Sequence, residues 1–182
     1  SLRLLDCSMP CDGSAAILLA SEESIKKFTD TPVWITGIGQ KSISAGFTKN
    51  QDLTSMKSNI LSSSDAYDMA GKNASDIDVA ELHDAFSICE IIELEDLGFA
   101  KKGNGASFVK NLYNAGDKKI NPRGGLIGSG HPLGATGIAQ TIEIFQQLQG
   151  NAGKRQINGA KIGLVQNMSA AATSSTVLIL ES

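Results

Sequence analysis

His83 and His131 are the only histidines in the chain, and each stands where a strand or loop signal gives way to helical periodicity. A helix N-terminus carries partial positive charge and unpaired amide donors, so it disfavours imidazolium and favours a nearby thiolate or oxyanion. A histidine placed there stays neutral near pH 7 and can serve as a base or as a hydrogen-bond donor. The stretch around His131, NPRGGLIGSGHPLGATG over 121–137, is rich in bare backbone. Gly124, Gly125, Gly128 and Gly130 permit conformations closed to other residues and let a ligand come up against the main chain. Nucleotide loops do not fit. From Gly128 the spacing runs Gly-x-Gly-x-x-Leu133 without the third glycine of a dinucleotide fingerprint, and no Gly-Lys-Ser/Thr follows to make a Walker loop. The plainer alternative is a tight turn in which His131 only caps a helix. The cysteines, Cys7, Cys11 and Cys89, are odd in number, and no second pair completes a zinc site around Cys7 and Cys11, so no metal is expected. Cys89 shares helical spacing with Phe86 and Ile92 and reads as a small buried apolar residue.

These residues need a scaffold, and the apolar pattern outlines one. AAILLAS (15–21), VWITGIG (33–39), DIDVAEL (76–82), KIGLVQN (161–167) and STVLILE (175–181) read as strands. Between them the pattern predicts a short helix within 22–30. A second helix is predicted over 52–70, with Asp52 as N-cap, apolar Leu53, Met56, Ile60 and Leu61, and Gly71 at its end. Helical periodicity returns over 84–97 before Gly98, more weakly over 106–112, and most strongly over 132–148. That last helix has proline in its first turn and an apolar stripe of Ile138, Ile142, Phe145 and Leu148. Strands and helices interleaved in this way predict an α/β layered domain with a partly parallel sheet.

With 182 residues the chain can form one domain with a substantial core and is too short for two of ordinary size. A hydrophobic fraction of 41%, a charged fraction of 19% and a net charge of -3 describe a soluble folded chain. Its lysines are scattered, so nucleic acid is not an expected partner. The longest apolar run, 15–20, is far too short to cross a bilayer, and no secretory signal opens the sequence. No membrane association is expected, and the expected location is cytoplasmic.

GSGHPLGATG (128–137) resembles the Gly-His-Pro motif of thiolases, and ELHDAF (81–86) resembles the His-Asp-x-Phe motif of the sterol-carrier-protein type thiolases and their prokaryotic relatives. The opening LLDCSMPCDGSAAILLAS (4–21) is similar to the segment with which the N-terminal half of these enzymes ends. The likeness runs along essentially the whole chain. It implies the C-terminal portion of a thiolase-like protein, with residues 1–30 closing the N-terminal half and 31–182 forming the C-terminal domain. The implied fold is an α/β half with a five-stranded mixed sheet layered between helices, in a subunit that dimerises.

The chemistry this resemblance implies is acyl transfer between a cysteine and coenzyme A, by thiolysis or Claisen condensation. His131 matches the histidine that activates the nucleophile. His83 matches the residue that holds the thioester oxygen as charge develops there. Asp84 is expected to cap the following helix or orient local backbone, and Phe86 to pack beside the site. Gly130 and Asn167 fall where the acyl-CoA is held, with coenzyme A and acyl-CoA as substrates and no resident cofactor. Three departures stand out. The family's nucleophilic cysteine lies in a half this chain lacks, and Cys7, Cys11 and Cys89 match no such motif. Gln166-Asn167-Met168 replaces the C-terminal Cys-x-Gly, and Ala85 stands where His-Asp-Cys-Phe has cysteine. The turn SAAATSS (169–175) places Ala170 and Ala172 where glycine is better tolerated. Cys89, one helical turn beyond Ala85, reaches the site only if that face lines the pocket. Three readings stay open: a catalytic thiolase whose nucleophile lies outside this chain and which this chain alone does not reproduce, a weakly catalytic thiolase-fold scaffold, and a stand-alone CoA or nucleotide-binding domain. Implied partners are the missing N-terminal half, a second copy, and the hydroxymethylglutaryl-CoA synthase and zinc-ribbon acyl-CoA-binding protein that accompany archaeal-like relatives.

Overall fold

The computed structural model describes residues 2–44 and 52–182. Four strands, β1 (Trp34–Ser42), β2 (Val79–Glu81), β3 (Ile162–Met168) and β4 (Ser174–Glu181), form one mixed sheet in the order β1-β4-β3-β2. β4 runs antiparallel to both neighbours, while β2 and β3 are parallel. That parallel pair demands a long crossover, and the crossover contains both histidine loops.

Alternation along the strands divides the core between the two faces of the sheet. Ala80, Leu82, Leu164, Val177 and Ile179 pack with Ala66, Leu94 and Leu97, from the side of α2 (Lys57–Ala70) and α3 (Ser87–Asp96), with α4 (Gly105–Ala115) beyond. Val79, Val165 and Leu180 pack with Ile144 and Leu148 of α6 (Thr136–Leu148) on the other face. The remaining helices are short: α1 (Glu22–Ile25) and α5 (Gly125–Ser129).

The five-stranded expectation is corrected: among the described residues there are four strands. Residues 15–21 join no ladder, and Leu18 is 98% exposed. A strand is held by pairing and by one buried face, and AAILLAS has neither. Among the described residues, a single parallel bridge from Ala80 to Ile120 extends the β2 edge.

Both long helices turn different faces inward from those their apolar residues predict. The buried face of α2 is Ser58, Asn59, Ser62, Ser63 and Ala66, while Ile60 and Leu61 are partly exposed. Its partner explains this. β1 presents Gly37 and Gly39 to the helix, and a Cβ at Gly39 would lie 1.8 Å from the Ser62 carbonyl oxygen, one at Gly37 2.3 Å from that of Ala66. Helix backbone rests on strand backbone, so only small side chains fit between. Gly39→Ala is therefore expected to cost about 3 kcal/mol, since neither main chain can give way easily. A urea midpoint equal to that of the native chain would show that the contact is slack. Asp52 is not the N-cap of α2: its carboxylate accepts from Thr54 N at 2.8 Å in the preceding turn, and the cap position is Met56, whose N–H donates to Asp96 Oδ2 at 2.6 Å. On α6, Gln140, Glu143 and Gln147 are buried with Ile144 and Leu148, and Phe145 is 46% exposed. Among the described residues no helix is long and apolar enough to cross a membrane.

Candidate active site

The first histidine loop leaves the carboxyl end of β2. Asn121, itself at φ 49, accepts the N–H of Leu82 on Oδ1 at 2.7 Å and donates through Nδ2 to Glu90 at 3.0 Å. The fully buried Gln166 then accepts the N–H of His83 at 3.0 Å and is itself braced on Asn59 at 3.1 Å. These bonds turn the His83 ring into a cavity and send Asp84 away from it. The Asp84 carboxylate accepts the N–H groups of Leu126 at 2.6 Å and Ile127 at 3.5 Å. It thus clamps α5, which leads into the second histidine loop, and does not cap the helix that follows it in sequence. Gly125 makes this possible: at φ 62, its missing Cβ would lie 2.1 Å from Asp84 Oδ2.

The second loop is tied to the first by the N-terminal segment. Ser8 N donates to Ala85 O at 2.8 Å, and His131 N donates to Met9 O at 2.9 Å, so residues 8–9 span the gap between the loops. Gly130, at φ 83, lies against Cys11, whose Sγ would be 2.8 Å from a Cβ there. The His131 ring is held by Thr136, Nδ1 to Oγ1 at 2.7 Å, and the Thr136 hydroxyl donates onward to Pro132 O at 3.0 Å. With its one proton so committed, Oγ1 accepts from Nδ1, and Nε2 of neutral His131 carries a free lone pair. On His83 the arrangement is reversed: Asn167 Nδ2 donates to Nδ1 at 2.9 Å, which places the ring proton on Nε2.

The two rings meet edge to face, centroids 4.9 Å apart and planes at 86°. Burial, assisted by the neighbouring His131, pushes His83 down to about 4, and burial lowers His131 as well. Both are neutral near pH 7 because they are desolvated. Neither histidine lies in the first turn of a helix, since α3 starts at Ser87 and α6 at Thr136, although the His131 ring reaches Thr136 itself. In the second loop a turn at Pro132 delays the helix. One imidazole therefore offers a donor and the other a base, side by side in a cavity of about 1140 Å³. Its apolar wall comes from Met56, Ile60, Phe86 and Leu133. The Ile60 and Met56 side chains that α2 keeps out of its sheet contact are used here.

Ala85 and Cys89 both line this cavity. Cys89 is partly exposed, not a buried core residue as its spacing predicted, because the start of α3 faces the opening. Burial, with Glu93 close by, pushes its thiol up to about 11, so it is protonated at neutral pH. Asn167 lines the cavity too, yet its amide hydrogens go to His83 and Gln140. Gly130 shapes the turn before His131 and is not among the lining residues. Ala171 and Ala172, at φ 56 and 53, adopt the left-handed conformation after β3. Sequence reasoning missed Thr136, Gln140 and the wall residues Ser8 and Pro10. Nothing in the spacing of a buried glutamine on an amphipathic helix marks it. Among the described residues no group of three or more His, Cys, Asp or Glu is placed to hold a metal ion.

Behind the loops lies a set of buried carboxyls. Glu81 and Asp84 are each pushed up to about 7, mainly by burial, and the completely buried Glu93, neither of whose oxygens has a hydrogen-bond partner, stands well above the ordinary range. In the folded chain these groups keep protons that the unfolded chain gives up above about pH 4.5. Their contribution is complete below that value; that of Glu81 and Asp84 is lost as pH rises through about 7, and that of Glu93 falls in the same direction. Carboxyls held low by hydrogen bonds, such as Asp52 and Glu95, act only under more acidic conditions. The melting temperature is therefore expected to be higher at pH 5 than at pH 8, by roughly 5 °C or more. A calorimetric Tm that does not fall between these pH values would mean that the carboxyls are ionised in the fold.

Fold and pocket together define an α/β domain that carries a paired-imidazole site at the end of a parallel strand. The family described as thiolase C-terminal domain-like matches residues 39–182, and the chain belongs to that family. The acetyl-CoA acetyltransferase of Methanothermobacter thermautotrophicus is 44% identical over 169 residues, which cover 92% of this chain and 44% of the relative. Sterol carrier protein 2 of Oryctolagus cuniculus is 41% identical over 175 residues, covering 92% of this chain and 32% of the relative. The solved structure of the Ltp2-ChsH2(DUF35) aldolase shares the fold, with a TM-score of 0.77 at 24% identity over 88% of this chain and 42% of that one. The chain thus spans less than half the length of these relatives.

Proposed function

We propose that this chain is the C-terminal part of a thiolase-type acyltransferase that cleaves or condenses acyl-CoA. The observation that carries the reading is the pair of neutral imidazoles with opposite free functions, 4.9 Å apart in one cavity. The Nε2 lone pair of His131 takes the proton from a cysteine thiol, and the resulting thiolate attacks the thioester carbonyl of acyl-CoA. The Nε2–H of His83 donates to the oxygen as it gains charge, and as the carbonyl reforms on the cysteine coenzyme A leaves as a thiol, its sulfur taking the proton from His131. That cysteine comes from the N-terminal half, and residues 1–30 form the end of that half and the connector. The homodimer and a cytoplasmic setting belong to this reading of the complete protein. A DUF35 zinc-ribbon protein, suggested by the name of the aldolase neighbour, is its proposed partner, with hydroxymethylglutaryl-CoA synthase as a further one.

The 182-residue chain alone is expected to show no CoA-dependent cleavage of acetoacetyl-CoA, since nucleophile and base come from different halves. The complete protein, incubated with an acyl-CoA, is expected to carry the acyl group on a cysteine outside these residues, as mass spectrometry of its peptides would show. Acylation of Cys7, Cys11 or Cys89, or turnover by the chain alone, would overturn the assignment. A second reading, a thiolase-fold scaffold that holds acyl-CoA with little catalysis, is favoured by one observation: Ala85 and Gln166 supply no titratable group where proton transfer is needed.

A further inference from the structure

Two identical side chains in one pocket can divide the work of base and donor only if something outside the rings decides which nitrogen of each is protonated. For His83 that decision is traceable to a residue that does not touch it. Gln140 on α6 is completely buried. Its Nε2 donates to the backbone carbonyl of Gln166 at 3.2 Å, and a carbonyl oxygen can only accept. The Gln140 amide oxygen must then face the other way, where it accepts from Asn167 Nδ2 at 2.8 Å. Asn167 is thereby held with its nitrogen toward His83, and its second N–H donates to Nδ1 at 2.9 Å. Protonated Nδ1 would set one donor against another. Without Gln140, Asn167 is free to rotate half a turn and offer its oxygen to His83, which draws the proton to Nδ1 and leaves Nε2 bare.

We propose that Gln140 is a positioning residue that, through Asn167, fixes the proton of His83 on Nε2 and so keeps this imidazole a hydrogen-bond donor while His131 is the base. The role in catalysis rests on the acyl-transfer reading above, whereas the protonation pattern itself does not. A single hydrogen bond of this kind biases the two tautomers by roughly 5- to 30-fold.

Long-range proton–nitrogen NMR of the nitrogen-labelled protein reads directly which nitrogen of each ring carries the proton, and His131→Gln assigns the two sets of signals. In the native protein His83 is expected to be protonated on Nε2. In Gln140→Met the share of the Nδ1–H form is expected to rise at least about fivefold. Gln140→Glu, whose acid form again donates to Gln166 and accepts from Asn167, should retain the native pattern below its own titration, which a merely space-filling role would not require. Asn167→Asp should place the proton on Nδ1 outright. Should Gln140→Met fail to fold, Gln140→Ala, which keeps helix propensity and leaves room for water, is read in the same way. His83 protonated on Nδ1 in the native protein, or an unchanged tautomer in folded Gln140→Met or Gln140→Ala, would overturn the proposal. Since the measurement uses neither substrate nor nucleophile, a catalytically inert protein with the expected tautomers would refute the functional reading and leave this relay standing.

Discussion

Replacing His131 with alanine in the complete protein is expected to slow acylation of its nucleophile by about 100-fold or more, the scale of a positioned general base. His131 is placed for that role by three contacts: its backbone N–H on Met9 O, its ring Nδ1 on Thr136, and its ring packed edge to face with that of His83. His83→Ala is expected to cost on the order of 100- to 1000-fold in the same step, by removing an oxyanion donor. Dependence on pH separates the two. Burial holds His131 below its ordinary value and His83 down at about 4. Acylation by the native protein should therefore stay level from pH 8 further into the acid range than an ordinary imidazole would allow, and decline as His131 takes up a proton. In His131→Ala that acid limb should disappear. Rapid quenching followed by mass spectrometry of the acyl-enzyme measures each rate, and equal rates for native and His131→Ala proteins would remove His131 from its role.

Ala85→Cys is expected to accelerate the second half of a condensation by about 100-fold, with acylation unchanged. Carbon–carbon bond formation needs a group that takes a proton from the α-carbon of the second acyl-CoA, and a methyl side chain cannot. The position is right for it, because Ala85 lines the cavity beside His83 and its carbonyl is already held by Ser8 at 2.8 Å. Cys89 lines the same wall one turn on, but its thiol is pushed up to about 11 and is a poor proton acceptor at neutral pH. Exchange of the α-protons of acetyl-CoA in deuterated water isolates the step, and it should be slow in the native protein and fast in Ala85→Cys. Fast exchange in the native protein that survives Cys89→Ser would show that another group moves the proton.

What the sequence determined by itself is the family motifs and the order of the elements that carry them. Both histidine loops, the glycine run before His131 and the absence of a cysteine at 85 are local features, legible because a short motif carries its own backbone requirements. The runs 33–39, 76–82, 161–167 and 175–181 announced strands for the same reason, and the strands found cover 34–42, 79–81, 162–168 and 174–181. Residues 15–21 looked equally strand-like and are not, because a strand exists only beside a partner, and sequence does not show partners. The helices were found but their faces were not. A period of 3.6 finds the apolar side of α2, whereas Gly37 and Gly39 in a distant strand decided that its smallest residues, Ser62 and Ala66, go inward and that Ile60 faces the cavity. The protonation of the site was further from view. The His83 tautomer depends on Asn167, Gln140 and a backbone carbonyl brought together from β3 and α6, and burial lowers the pKa of both rings. Hydrogen-bond direction and desolvation are properties of neighbours in space, so only the tertiary structure decided which nitrogen of each imidazole is left free.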